Sequence, residues 1–213
     1  MTISASFGSR GERIGRGVAE RLGLPFLDRA IPVAVARRLR LTDEAPESFD
    51  ERAPSFWQRL VASFSGVETG LPVAGHSVQQ FTAPEDFRVA TEAVLRDAAD
   101  GTGAVILGRA GMVVLQDRHD VLRVRLDGPV EARIAQAIAD GLDEPTARQM
   151  QREVDGVRER YVSYFYKADQ RDARLYHLVV DPTALPVGVC VDIIERAARA
   201  VAPRTQATGG GGG

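Results

Sequence analysis

Cysteine occurs once in this chain, at Cys190 inside the apolar run Val187 to Val191, which excludes a disulfide framework and a cysteine-built metal cluster. The same setting makes Cys190 a core residue. The three histidines, His76, His119 and His177, lack ligand-like spacing and read as surface or satisfied core positions. No run of 18 apolar residues and no signal-peptide pattern occur, so a soluble cytoplasmic protein without a membrane partner is the expectation. An excess of either charge is also missing. With 27 basic and 29 acidic residues the formal net charge is −2, and no basic face for nucleic acid is implied.

What is present begins with the segment Ala104 to Leu115, where an apolar strand ends on Gly108-Arg109 before apolar sequence resumes. Glycine lets the chain turn tightly at a strand end, and the arginine beside it can present a planar guanidinium to a phosphate or a pyrimidine edge. Taken alone, this segment is more often an ordinary strand-turn with a surface arginine. The chain also opens on a short apolar run, Met1 to Ser4, followed by Ser6-Phe7-Gly8-Ser9-Arg10-Gly11 and then Ile14, Val18 and Leu22 at helical spacing. Strand, glycine-rich turn and helix form a phosphate-binding layout, because converging backbone N–H groups and the positive end of a helix suit a polyphosphate. The standard pattern G-x-x-x-x-G-K-[ST] is not met, since no lysine occurs in this loop.

Four segments in order make the chain resemble the cytidylate kinase-like family of small nucleoside monophosphate kinases over most of residues 1 to 200. Phe7-Gly8-Ser9-Arg10-Gly11 looks like the phosphate loop, and Leu24-Pro25-Phe26-Leu27-Asp28 like a second strand ending on a substrate-facing aspartate. Gly108-Arg109 and the turn Asp127 to Arg133 form the third segment. Asp155-Gly156-Val157-Arg158, with Tyr176 to Thr183 as a last strand and turn, forms the fourth. The resemblance implies an α/β P-loop fold with a five-stranded parallel sheet, helices on both faces, and lid and monophosphate-binding insertions. It implies transfer of phosphate from ATP, with Mg²⁺, to a nucleoside monophosphate, CMP or dCMP foremost.

By the same resemblance Gly8, Ser9, Arg10, Gly11 and Arg13 bind ATP, while Asp28, Arg109, Asp155 and Arg158 orient the acceptor. Arg109, Arg133 and Arg158 are the expected catalytic cations, and no protein residue serves as a metal ligand. Two departures stand out. The family's loop lysine falls close to Gly11, and Glu12 and Arg13 follow where a small residue and a hydroxyl are the rule. Ala34 replaces an arginine expected after Asp28, with Arg37 and Arg38 one turn later. A non-catalytic nucleotide sensor or a kinase for another small acceptor therefore stands beside the nucleoside monophosphate kinase as a reading of the same residues.

Along the chain, strands are expected at Thr2 to Ser4, Pro25 to Leu27, Ala104 to Leu107, Val121 to Leu126 and Leu178 to Val180. Helices are expected at Gly11 to Leu22, Arg29 to Leu39, Pro84 to Ala99, Val130 to Asp140, Glu144 to Tyr166 and Pro186 to Ala200. A kinase-like domain thus occupies residues 1–202, and the glycine-ended segment 203–213 is expected to be a flexible tail. Residues 42–83, punctuated by prolines and glycines around Phe56, Trp57, Leu60 and Phe64, suit a cap over the monophosphate or a homodimer contact. Residues 144–174 are arginine-rich and lid-like. Asp155 and Arg158, one helical turn apart, should share one face.

Overall fold

The structure, a computed structural model, describes residues 1–27 and 84–201. Five parallel strands form one sheet: β1 (Thr2–Ala5), β2 (Phe26–Leu27), β3 (Val105–Leu107), β4 (Arg123–Leu126) and β5 (Leu178–Val180), in the spatial order β2-β3-β1-β4-β5. β1 is central, with Ile3 opposite Leu107 on one side and Val124 on the other. The helices are α1 (Gly11–Leu22), α2 (Pro84–Asp100), the short α3 (Gly111–Val114), α4 (Val130–Ala139), α5 (Glu144–Tyr166) and α6 (Val187–Val201). None among the described residues is long and apolar enough to cross a membrane.

The period-two alternation of the strands divides the core into two layers. Ile3, Val105, Leu107, Val124 and Leu126 join Ile14 and Val18 of α1 and Cys190, Val191 and Ile194 of α6. Ile106 points the other way, into a cluster with Leu95 of α2, Leu115 and Val121. On that second face β4 carries Arg125, which is buried, and β1 carries Ser4, whose hydroxyl donates to the sulfur of Met112 at 3.4 Å. A buried arginine needs an acid partner, and the site below supplies one.

α1 begins directly after the loop and ends in a glycine cap: Gly23 has φ of 66°, and Gly23 and Leu24 donate to Glu20 and Ala19. Gly15 permits close packing, because a Cβ there would lie 2.6 Å from the Phe26 ring. α5 starts at Asp143, whose carboxylate accepts from the Thr146 N–H at 2.9 Å, and closes at Lys167 in a left-handed conformation. The Lys167 ammonium sits 5.5 Å from the centre of the Tyr164 ring.

Most expected elements recur within one or two residues. The apolar stretch after Arg109, for which no element is expected, forms the helix α3. Gly111 explains the tuck: a Cβ there would come 2.8 Å from Thr2 Cγ2, so only glycine lets this turn press on β1. A 3-10 turn at Ala173–Leu175 was also not expected. The helix expected at Arg29 to Leu39, the segment 42–83 and the tail 203–213 lie outside the described residues.

Ile14 is fully buried between α6 and the sheet. Ile14→Ala should lower unfolding stability by about 2–5 kcal/mol with an unchanged urea m-value, read from equilibrium denaturation.

Candidate functional site

The carboxyl ends of β1, β3 and β4 meet at one edge of the sheet. After β1 the chain adds one more ladder bond, from the Ser6 N–H to Leu126 O at 3.0 Å, and then turns. Gly8 has φ of 75° and Arg10 φ of 51°. Between them Ser9 is fully buried, its hydroxyl donating to Ser6 O at 2.7 Å, so this side chain shapes the turn. No side chain caps α1, whose first-turn N–H groups therefore follow the loop without a protein acceptor from the capping residue. Gly11 abuts β1, since a Cβ there would lie 2.4 Å from that of Ala5. Both loop glycines thus sit where a Cβ would collide with a neighbouring element.

Beneath the loop runs a chain of alternating charges. Arg125 donates to Asp127 Oδ2 at 2.6 Å; Asp127 Oδ1 lies 3.4 Å from Arg133 Nε; Arg133 Nη1 donates to Asp155 Oδ2 at 2.8 Å; Arg158 stands 3.8 Å from Asp155 Oδ1. Arg133, 5% exposed at its side chain, also donates to Gly128 O at 2.9 Å and Phe7 O at 2.7 Å. Asp155 Oδ1 accepts the Phe7 N–H at 2.8 Å, and Gln151 donates to Oδ2 at 3.2 Å. Arg158 donates to Ala5 O. Asp155 and Arg158 therefore do share one face of α5, as their spacing predicts, and that face meets the loop backbone.

Burial works to raise the Asp127 carboxyl, but hydrogen bonds from Arg125 and Ser6 and the Arg125 charge outweigh it and hold the group below the ordinary range. Arg10 does not point along the loop. It makes a two-pronged contact with Asp140 just past α4, at 2.9 and 2.8 Å, and these bonds hold Asp140 low against its partial burial. Arg13 is exposed on α1, its charge also acting on Asp140.

One strand over, Gly108 donates its N–H to Ile3 O at 2.8 Å and opens three successive left-handed residues: Gly108 at φ 79°, Arg109 at 58° and Ala110 at 52°. Such backbone costs about 1–2 kcal/mol for each non-glycine residue and is kept where the surroundings over-determine it. Gly111 and Val113 donate back to Gly108 and Ala110 and lock the turn. Arg109 is half-buried, and its charge acts on the Tyr161 phenol of α5, which burial pushes up against the pull of that charge.

Glu92 of α2, 9% exposed, is ion-paired with Arg88 and, at 3.4 Å, with Arg96, and its charge also acts on Tyr161. Sequence reasoning missed Glu92. Its i±4 placement between two arginines was the available signal. Asp28 and His76 lie outside the described residues, and His119 and His177 are exposed. Among the described residues no group of three His, Cys, Asp or Glu could hold a metal ion.

A family model described as the cytidylate kinase-like family matches residues 1–184. A search of curated proteins returns no match. Among solved structures, the chain is similar to an uncharacterized protein from Eubacterium ventriosum, with 20% identity and a TM-score of 0.62 over 93% of this chain and 97% of that one. Weaker likenesses link it to a sugar kinase from Janibacter sp. (17% identity, TM-score 0.47, 94% and 96% covered) and to shikimate kinase from Bacteroides thetaiotaomicron (11%, 0.44, 93% and 97%). The Eubacterium ventriosum structure supports the arrangement of sheet and helices described above.

Two outcomes follow from this geometry. A Cβ on Gly8 would lie 2.2 Å from Arg133 O, whereas one on Gly23, also left-handed, meets nothing within 4 Å. Gly23→Ala should cost about 1 kcal/mol and Gly8→Ala about 1–3 kcal/mol more, and equal losses in urea unfolding would mean that loop and α4 do not abut. The depressed Asp127 carboxyl contributes stability that is complete above the ordinary aspartate value near ~3.9 and is lost as pH falls through the lower folded value. Asp127→Asn should flatten that acid limb, as measured by thermal unfolding between pH 2 and pH 6.

Proposed function

This chain belongs to the cytidylate kinase-like family, and on that premise we propose that it is a cytoplasmic enzyme transferring a phosphoryl group from Mg-ATP to a nucleoside monophosphate, with CMP or dCMP the acceptor. The observation that carries the reading is the meeting of the glycine loop and Arg109 at adjacent strand ends, linked by the Gly108 N–H to Ile3 O bond. Ligands of open parallel sheets bind at this edge.

The donor's phosphates suit the loop Gly8 to Gly11 and the first turn of α1, where backbone N–H groups and the helix dipole favour negative charge. Mg²⁺ would be carried chiefly by phosphate oxygens and water, in keeping with its reluctance to dehydrate, and would neutralise charge on them. Arg109 holds the acceptor's phosphate by a charge-assisted pair of bonds, and an oxygen of that phosphate attacks the γ-phosphorus in line. The bond from γ-phosphorus to the leaving oxygen of ADP breaks as the new one forms. No protein nucleophile is required; positioning supplies the rate.

A second reading, a nucleotide-binding sensor without turnover, draws on one observation. Glu12 and Arg13 occupy the positions after the loop glycine, and Arg10 is engaged by Asp140, so the loop has no lysine and its own arginine is already paired. A coupled ADP-release assay with Mg-ATP across a panel of nucleoside monophosphates, run beside calorimetric binding of the same ligands, decides between the two. Turnover supports the kinase, and binding alone supports the sensor. In either case Arg109→Ala should weaken CMP binding by roughly ten- to a hundredfold, the worth of one charge-assisted contact, while the thermal transition stays cooperative. Undiminished CMP affinity in that variant would remove Arg109 from the acceptor site.

A further inference from the structure

We infer that Arg133 and Asp155 are positioning residues for the phosphate donor: together they clamp the peptide groups of Phe7 and so set the shape of the loop that follows, and neither meets the acceptor. The inference rests on the phosphotransfer reading for the identity of the donor and on the geometry alone for the clamp. The resemblance to nucleoside monophosphate kinases had placed Asp155 on the acceptor and Arg133 among the catalytic cations.

Both polar groups of one residue are held by one ion pair. The Phe7 N–H donates to Asp155 Oδ1 at 2.8 Å, and the Phe7 carbonyl accepts from Arg133 Nη1 at 2.7 Å, while Arg133 and Asp155 join each other at 2.8 Å. Each clamp residue is itself restrained. Arg133 Nε is fixed by Gly128 O, and Asp155 Oδ2 is shared between Arg133 and Gln151. Two residues before Phe7, at the end of β1, Arg158 donates to the Ala5 carbonyl.

Phe7 immediately precedes Gly8, whose missing Cβ leaves room for the Arg133 carbonyl. The loop is therefore gripped by the side chain of Arg133 on one residue and packed by its backbone on the next. A loop that binds phosphate through its amides depends on their direction, and a clamp made before the ligand arrives removes the cost of ordering them. In a loop without lysine this direction carries a larger share of donor affinity. The two oxygens of Asp155 are committed to Phe7, Arg133 and Gln151, which leaves the carboxylate poorly placed to read a base.

The test compares the full chain with Asp155→Ala, Asp155→Asn, Arg133→Met and, as a control for lost stability, the core variant Leu95→Ala, remote from the loop. Calorimetry uses a non-hydrolysable ATP analogue with Mg²⁺ and, separately, CMP; amide hydrogen exchange reads the Phe7 N–H without any ligand. Asp155→Ala and Arg133→Met should weaken analogue binding by roughly tenfold or more with CMP binding little changed, and Asp155→Ala should accelerate Phe7 exchange. Asp155→Asn keeps an acceptor for the Phe7 N–H and should fall between parent and alanine variant; it also serves where the alanine variant does not fold. Leu95→Ala should lower the melting temperature and leave both readouts in place.

Loss of CMP binding with intact analogue binding, or unchanged Phe7 exchange in both Asp155 variants, would overturn the clamp. If the parent binds no triphosphate while Phe7 exchange still rises in Asp155→Ala, the clamp stands and the phosphotransfer reading is the part that fails.

Discussion

The loop after β1 hangs on the alternating ion chain Arg125–Asp127–Arg133–Asp155–Arg158, which passes under it and ties β4, α4 and α5 to the end of β1. Such a chain is not a source of net stability in itself, because desolvating each charge offsets much of the attraction. Its value is directional. Every member has a partner on either side or a backbone group to bind, and removing one partner of a buried pair typically costs about 3–5 kcal/mol by stranding the other. Arginine suits this place better than lysine would, since one planar fork can serve several acceptors at once, as Arg133 does with Gly128, Phe7 and Asp155.

The second constraint is the left-handed run at Gly108 to Ala110. Two non-glycine residues are held there at positive φ, against their preference, by return hydrogen bonds and by the seat that Gly111 makes against Thr2. The loop after β1 and the turn after β3 are thus built differently. One is shaped by buried side-chain charges from distant elements, the other by backbone strain locked within a single turn.

How far the sequence carried follows from which forces are local. α1 was legible because Ile14, Val18 and Leu22 mark a helical face; in the structure Gly23 closes it and Asp143 opens α5. β5 was legible as a short apolar run. The helix α3 was not, because the same apolar residues suit strand or helix and the deciding contact is Gly111 against Thr2, more than a hundred residues away. The loop glycines and the common face of Asp155 and Arg158 could be read in advance; what that face meets could not. Pairings such as Phe7 with Asp155, or Arg133 with Phe7, join residues separated by more than a hundred positions, and no spacing rule encodes them. The acceptor residue Asp28 stays an expectation, outside the described residues.

All but one of the chain's 27 basic residues are arginine, the exception being Lys167, the left-handed residue that ends α5 and lays its ammonium over Tyr164. Amine-directed reagents therefore have a single side-chain target. An acylating fluorophore on that side chain would report from the end of the helix whose middle turns hold the loop. A lysine-specific endoprotease would likewise cut once only, parting β5 and α6 from the remainder of the sheet and helices.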